Sequence, residues 1–358
     1  MEFLMSYGWA LLVVLLVIAA LAYFGMLNPE RFLPDKVNLG SGLTVMSSTL
    51  DERFLTLIVN NGLGKALYNF AINATLCGTD GVTSGTYTLA EGESKKIIIP
   101  CGKQLKNSKF KSDLITTYST MTYSESISHQ AKGDLRMTVN DGCRTSDMVA
   151  GWNFEGNNMK SCSGIASTCT GSACPTKTSG KIGDGYEFDG VDDCISTVNG
   201  INVVGSVTFS AWVKPKVFDS NLRQIIACGD TTGGQDPFYS RFLNSNTLDY
   251  DIYSEYFPSS PGSAISDSIT FTSYISLNTW SLVTIVYENA QTMKIYVNDQ
   301  LIKTTPATTF DNKGSRLMPL YIGCIHGVQL FSGTIDEVYV VNRALSAEEV
   351  KAIYLSQK

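Results

Sequence analysis

The first 24 residues, MEFLMSYGWALLVVLLVIAALAYF, constrain the chain more than any other stretch: they hold one charge, Glu2, and the next is Glu30. A helix from Phe3 to Phe24, rising about 1.5 Å per residue, reaches roughly 33 Å, enough for about 30 Å of hydrocarbon. A long hydrophobic α-helix with a kinked junction is therefore expected over residues 1–34, with Pro29 and Pro34 bending and then ending it. Three uses for it compete. Ala20-Leu21-Ala22 offers a small-residue cleavage site for an export signal, yet the apolar run is preceded by an acid and no Lys or Arg. A plain membrane anchor is the second use. The third follows from Glu2, because a carboxylate beside an apolar helix is costly unless a positive group neutralises it.

Beyond Lys36 the apolar period becomes two. Leu43–Val45, Phe54–Val59, Lys95–Ile99, Leu114–Tyr123 and Leu135–Val139 read as short strands separated by Asn-Gly and Gly-rich turns, which predicts an antiparallel β-sandwich over residues 35–145. A second all-β domain is expected over 146–358, opening on the strand Val149–Phe154. The fold class is thus mainly β: one long hydrophobic helix, then two antiparallel sandwiches. The net charge of −6 gives no basic field for nucleic acid, and two His leave little for zinc chemistry.

All nine Cys follow the apolar run and none stands in a C-x-x-C, so they read as disulfides of an exported protein. Cys77 and Cys101 flank strand ends as a candidate bridge, Cys228 and Cys324 are a candidate bridge between neighbouring strands, and Cys143 with Cys194 is a further suggestion. Cys162, Cys169 and Cys174 would hold down the Gly/Ser/Thr-rich insertion Glu155–Gly180, which has too few apolar residues to fold alone. Asn73-Ala74-Thr75 is the sole N-x-S/T glycosylation acceptor and suits an exposed edge.

The segment Glu2 to Ala10, the Leu/Val/Ile run, Ala22-Tyr23-Phe24-Gly25 and Leu27-Asn28-Pro29 resembles the N-terminus of archaeal type IV pilin-like proteins, and residues 35–145 resemble their β-sandwich head. That resemblance implies a structural subunit of a surface filament, membrane-inserted before assembly. Copies would pack helix to helix through Glu2, Phe3, Tyr7 and Trp9, and Glu2 would pair with a neighbour's α-amino group. The segments Tyr186–Asp193, Val207–Pro215, Leu320–Gly323, Phe331–Val338 and Asn342–Val350 resemble, in this order, a LamG-like, concanavalin A-like jellyroll. That resemblance implies extracellular recognition of glycans or proteins, and a structural Ca²⁺ for which Asp336 is the side-chain ligand, with carbonyls near Asn153 and Gly190.

Trp152, Trp212 and Trp280 are expected between the sheets, and Ser346-Ala347-Glu348-Glu349 reads as a capping box opening a C-terminal helix. Tyr253, Tyr256 and Phe257, beside Pro258-Ser259-Ser260-Pro261-Gly262, are the candidate ligand-stacking residues; the competing use of such aromatics is packing between subunits. Hydrolysis would need paired carboxyl groups, and Glu187 with Asp189 share one strand face. These residues also belong to the ordinary jellyroll pattern, so no enzyme is expected. The functional expectation is adhesion by a filament subunit exposed at the cell surface. A purely structural jellyroll and a singly anchored receptor are the alternatives.

Overall fold

The computed structural model describes residues 12–17, 33–40, 42–51, 54–77, 82–83, 86–101, 108–120, 128–140, 148–155, 161, 163–169, 171–229, 238–253, 264–308, 312 and 317–357. Among the described residues the expected long N-terminal helix is not present. Residues 12–17 are helical, a length of about 9 Å. Each is roughly half exposed, from 49% at Val13 to 62% at Leu16. Among the described residues no helix is long and apolar enough to cross a membrane. The run has no polar face, so nothing in the chain selects one side of it for burial, and helices gain most of their stability from such packing. Glu2, Phe3, Tyr7 and Trp9 lie outside the described residues, as do Cys143, Cys162, Tyr256 and Phe257.

The chain divides into two compact units, Met1–Asp141 and Gly142–Lys358. In the first, a six-stranded antiparallel sheet runs in the order Lys36–Asn38, Ser128–Thr138, Lys109–Ser119, Leu67–Ala74 and Val82–Thr83, with Tyr87–Leu89 also on Leu67–Ala74. It faces a three-stranded sheet of Leu43–Leu50, Phe54–Asn61 and Ser94–Pro100. Alternation supplies the core: Leu55, Leu57, Val59, Ile97 and Ile99 from one sheet meet Phe70, Ile72, Leu114 and Leu135 from the other. The Cys77–Cys101 disulfide ties a strand end of one sheet to a strand end of the other. Asn73 is not at an edge: it is paired with Thr83 on one side and Ile115 on the other.

The second unit is a jellyroll of two antiparallel sheets. The eight-stranded sheet runs Thr176–Ser179, Asp184–Asp189, Ser332–Val341, Val207–Pro215, Ser281–Glu288, Thr292–Val297 and Gln300–Pro306, with Met148–Trp152 also on Ser332–Val341. The seven-stranded sheet runs Ser167–Thr168, Ile195–Thr197, Leu320–Ile322, Arg223–Cys228, Phe238–Phe242, Thr247–Tyr253 and Ala264–Thr270. Trp152, Phe188, Phe209, Tyr250 and Tyr287 fill the space between them, and Phe209 stacks on Phe238 with centroids 3.8 Å apart.

Trp212 is not in that core. Val207, Phe209, Ala211 and Val213 point inward, so period two turns Trp212 to the other face, where it stacks on Tyr354 and donates to Gln357 Oε1 at 2.6 Å. Both partners lie on the C-terminal helix Ala347–Gln357. Trp280 is not in the core either: it stands just before the strand Ser281–Glu288 and is only partly buried. A reciprocal cap starts the C-terminal helix: Glu349 N–H donates to Ser346 Oγ at 3.2 Å, and Ser346 N–H donates to Glu349 Oε2 at 2.9 Å.

The expected Cys228–Cys324 bridge does not form, because register forbids it. Cys228 lies opposite Leu320, whereas Ile195 lies opposite Ile322 and so brings Cys194 alongside Cys324, with which it pairs. That bond also excludes Cys143 as the partner of Cys194. Cys228 is buried, its Sγ 3.7 Å from the Met318 carbonyl oxygen. Cys169 pairs with Cys174 inside the insertion.

Candidate functional site

The face of the seven-stranded sheet turned away from the core carries one continuous cross-strand row: Thr168, Ser196, Tyr321, Ala227, Tyr239, Asp251 and Ser266. Arg241, Asp249 and Ser268 form the next row. Directly opposed side chains in such a row are neighbours at about 5 Å, so the register alone assembles these groups.

Arg241 is the hub. Its guanidinium stacks 4.3 Å above the Tyr239 ring, donates to Asp249 Oδ2 at 3.0 Å, to Gln329 Oε1 at 3.1 Å and to the Tyr239 hydroxyl at 3.2 Å. The Tyr239 hydroxyl donates in turn to Asp251 Oδ2. Burial pushes the Asp249 carboxyl above the usual carboxylate range, and the Asp251 charge adds to this against the pull of Arg241. Burial likewise raises the Tyr239 hydroxyl, with the Asp251 hydrogen bond next, so this phenol stays protonated and keeps donating.

His326 and Gln329 come from a tight turn in which Ile325 and Val328 bond each other, and the Cys194–Cys324 disulfide pins the start of that turn to the sheet. His326 lies edge-on to Tyr321, centroids 5.0 Å apart, with Nδ1 3.3 Å from the Tyr321 hydroxyl. Tyr321 is itself buried, packed with Ala227, Cys324 and Ile325, so the aromatic ring beside the fixed fork of donors and acceptors is Tyr239, a combination that can stack on a ring and bond its hydroxyls.

Of the aromatics expected to stack on a ligand, Tyr253 ends the strand Thr247–Tyr253 opposite Ala264, and its side chain lies outside the described residues. Arg241, Asp249, Asp251, Tyr321 and Gln329 do not stand out as a site in the sequence. The available signal was polar residues at every second position of strands that are otherwise apolar, Tyr239-Ser240-Arg241 and Asp249-Tyr250-Asp251.

Glu187 and Asp189 do not form an acid pair for hydrolysis. Glu187 is bonded to Lys216 at 2.5 Å, and Asp189 Oδ1 accepts Val191 N–H at 2.7 Å and Asp192 N–H at 3.3 Å. The Val191 amide, ahead of a smaller opposing effect of burial, holds Asp189 below the usual carboxylate range, which makes it a poor proton donor. Asp189, Asp192 and Asp193 are the only described residues grouped closely enough to hold a metal ion by side chains alone, and their hydrogen bonds are those of a turn: Asp193 Oδ2 accepts Asp189 N–H at 2.7 Å.

The expected Ca²⁺ ligand set does not assemble as a set. Asp189 pairs with Ser332, so Gly190, one step further, is five residues along the strand from Asp336, roughly 17 Å. Asn153 fares better, since Trp152 pairs with Val338. Asp336 is fully buried, accepting Ile182 N–H at 3.0 Å and Glu337 N–H at 2.7 Å. Its Oδ2 presses against Gly180, where an added Cβ would come within 2.5 Å, and a Cβ on Gly183 would overlap the Glu155 carboxylate. Two carboxylates thus lie against one glycine hairpin, Asp336 at Gly180 and Glu155 at Gly183.

Residues 189–351 match the Laminin_G_3 family, described as the concanavalin A-like lectin/glucanases superfamily. A LamG-like, concanavalin A-like domain therefore occupies the C-terminal unit. Among solved structures, the chain is similar to the binding domain of Paraclostridial Mosquitocidal Protein 1, at 15% identity over 58% of this chain and 52% of that one, with a TM-score of 0.47. It is also similar to the botulinum neurotoxin serotype G binding domain, at 18% identity over 59% and 51%, TM-score 0.45. The receptor binding domain of botulinum neurotoxin D is similar at 15% identity over 59% and 53%, TM-score 0.46. The chain spans about half the length of these structures. No curated protein sequence matches the chain.

Proposed function

We propose that the C-terminal jellyroll is a recognition domain for a hydroxyl-rich ligand, a surface glycan or glycoprotein, bound on the outward face of the seven-stranded sheet, and that its role is adhesion. The observation that carries this reading is the Arg241 fork, stacked on the Tyr239 ring and bonded to Asp249 and Gln329. The concanavalin A-like family match supports it, since lectins are part of that family's description. Export to the cell exterior belongs to the same proposal and is supported by the disulfides Cys77–Cys101, Cys169–Cys174 and Cys194–Cys324, bonds that persist in oxidising surroundings. A structural Ca²⁺ at Asp336 and Glu155 is proposed with it, supported by the glycine hairpin that receives both carboxylates. The filament-subunit expectation rested on the long N-terminal helix, and nothing among the described residues supports it.

The experiment is a glycan array probed with the full chain and with Arg241→Ala. Removing a charged donor that serves several acceptors is expected to weaken binding about tenfold or more. Binding that is unchanged in Arg241→Ala, or absent from the wild-type chain across the array, ends the adhesion reading in favour of a structural jellyroll.

A further inference from the structure

The six-stranded sheet of the N-terminal unit carries an unusual charge order on the face turned away from its core. Along Ser128–Thr138 the outward positions are Lys132, Asp134, Arg136 and Thr138, and Thr138 holds the Asp35 carboxylate through its N–H and hydroxyl, both at 3.0 Å. The signs therefore run plus, minus, plus, minus, with Lys109 sharing the last carboxylate at 2.6 Å. On the adjacent strand Lys111 lies directly opposite Arg136, and Asp113 directly opposite Asp134. Like charges facing each other across a ladder are unfavourable, and exchanging Lys111 with Asp113 would remove both conflicts. Lys36 extends the cation row opposite Arg136 and reaches diagonally to Asp134 at 3.3 Å, with both side chains more than half exposed.

Exchanging the two central rows, Arg136 with Lys111 and Asp134 with Asp113, inverts every sign in them. We propose that this face docks onto the same face of a second copy of the chain, about a two-fold axis that crosses the strands between Asp134 and Arg136. The axis sets Arg136 of each copy over Asp134 of the other, Lys111 over Asp113, and Lys132 over the Asp35 carboxylate. Lys36 meets Asn38, the neutral end of the anion row. The contact is isologous, as closed two-fold interfaces are, and it sets an opposite charge over each of the like-charge pairs that the sheet places side by side. Its area is modest. Strands about 4.8 Å apart and rows about 6.8 Å apart give roughly 200–400 Å² per copy, below the ~800 Å² of a standard interface. Association is therefore weak between free molecules and becomes effective where many copies are held close together.

Sedimentation of the full chain over a concentration series, at about 50 mM and about 500 mM salt, tests this, because screening shortens the reach of exposed charges. Self-association at low salt is expected to weaken at least tenfold at high salt. Lys111→Glu with Arg136→Glu makes the two central rows negative except for Lys36 at one end, and Asp113→Lys with Asp134→Lys makes them positive except for the neutral Asn38. Each double variant is expected to lose self-association, and an equimolar mixture of the two is expected to regain it as a heterotypic pair. The mixture also separates lost docking from lost folding, since misfolded variants would not rescue each other. Absence of self-association in the wild type, association indifferent to salt and to both variants, or failure of the mixture to associate would each overturn the proposal.

Discussion

Asp267 stands where the edges of the two jellyroll sheets meet. It lies on Ala264–Thr270, accepts Lys303 Nζ at 2.5 Å and the Thr305 hydroxyl from the edge strand Gln300–Pro306, and bonds Ser268 N–H at 2.7 Å. Burial alone would raise this carboxyl; the Lys303 and Thr305 hydrogen bonds outweigh it and hold the group below the usual range. A carboxyl lowered in the folded state contributes stability above its unfolded pKa of about 3.9, and that stability is lost as pH falls through the folded value. Asp267→Asn is therefore expected to melt lower than wild type at pH 7, and the gap is expected to close as pH falls below about 4, measured by thermal unfolding. A gap independent of pH would assign the loss to packing. Asp267 was not legible in the sequence, because its partners are 36 and 38 residues away and only the closing of the two edges brings them together. Arg241 was hidden because Asp249 meets it only through strand register and Gln329 lies 88 residues away, whereas Ser346 and Glu349 were readable because a capping box is complete within four residues.

At the scale of elements, the Cys194–Cys324 disulfide does two things. It closes 130 residues of chain and fixes the turn that presents His326 and Gln329 beside Arg241. Chain-entropy arguments put a loop of that length at about 3–5 kcal/mol. Cys194→Ser with Cys324→Ser is expected to lower unfolding free energy by an amount of that order in urea titration, and to weaken glycan binding through the loosened turn. Loss of binding without loss of stability would make the bond purely positional. Cys228 and Cys324 read as a bridge between neighbouring strands, and those strands are neighbours, but the register sets Cys228 opposite Leu320 and leaves Cys324 to Cys194. The elements that read well were those with strict period two, such as Phe54–Asn61 and Val207–Pro215. The bulk of Trp212 suggests the core, yet its parity along the strand puts it on the opposite face. The N-terminal run read poorly because uniform apolarity contains no phase.

Across the whole molecule, the two units have separate hydrophobic cores, one built around Phe70 and Leu114 and the other around Trp152 and Phe209. Calorimetry of the full chain is expected to resolve two unfolding transitions, and a chelator is expected to lower only the one that Asp336→Asn and Glu155→Gln also lower, because an ion bound solely to the folded state raises its stability. Indifference of both transitions to chelator would leave Asp336 as a buried acceptor of two backbone amides. The strand Ser332–Val341 carries a further consequence. It bonds Met148–Trp152, Asp184–Asp189 and Val207–Pro215, yet it is made more than a hundred residues after any of them. On the ribosome those three earlier strands must wait, edges open, for the piece that joins them. Such delayed, long-range closure is slow and exposed to misassembly. A nascent chain cut anywhere before Ser332 lacks the strand that joins those three, so closure of this unit is expected only once translation has passed Val341.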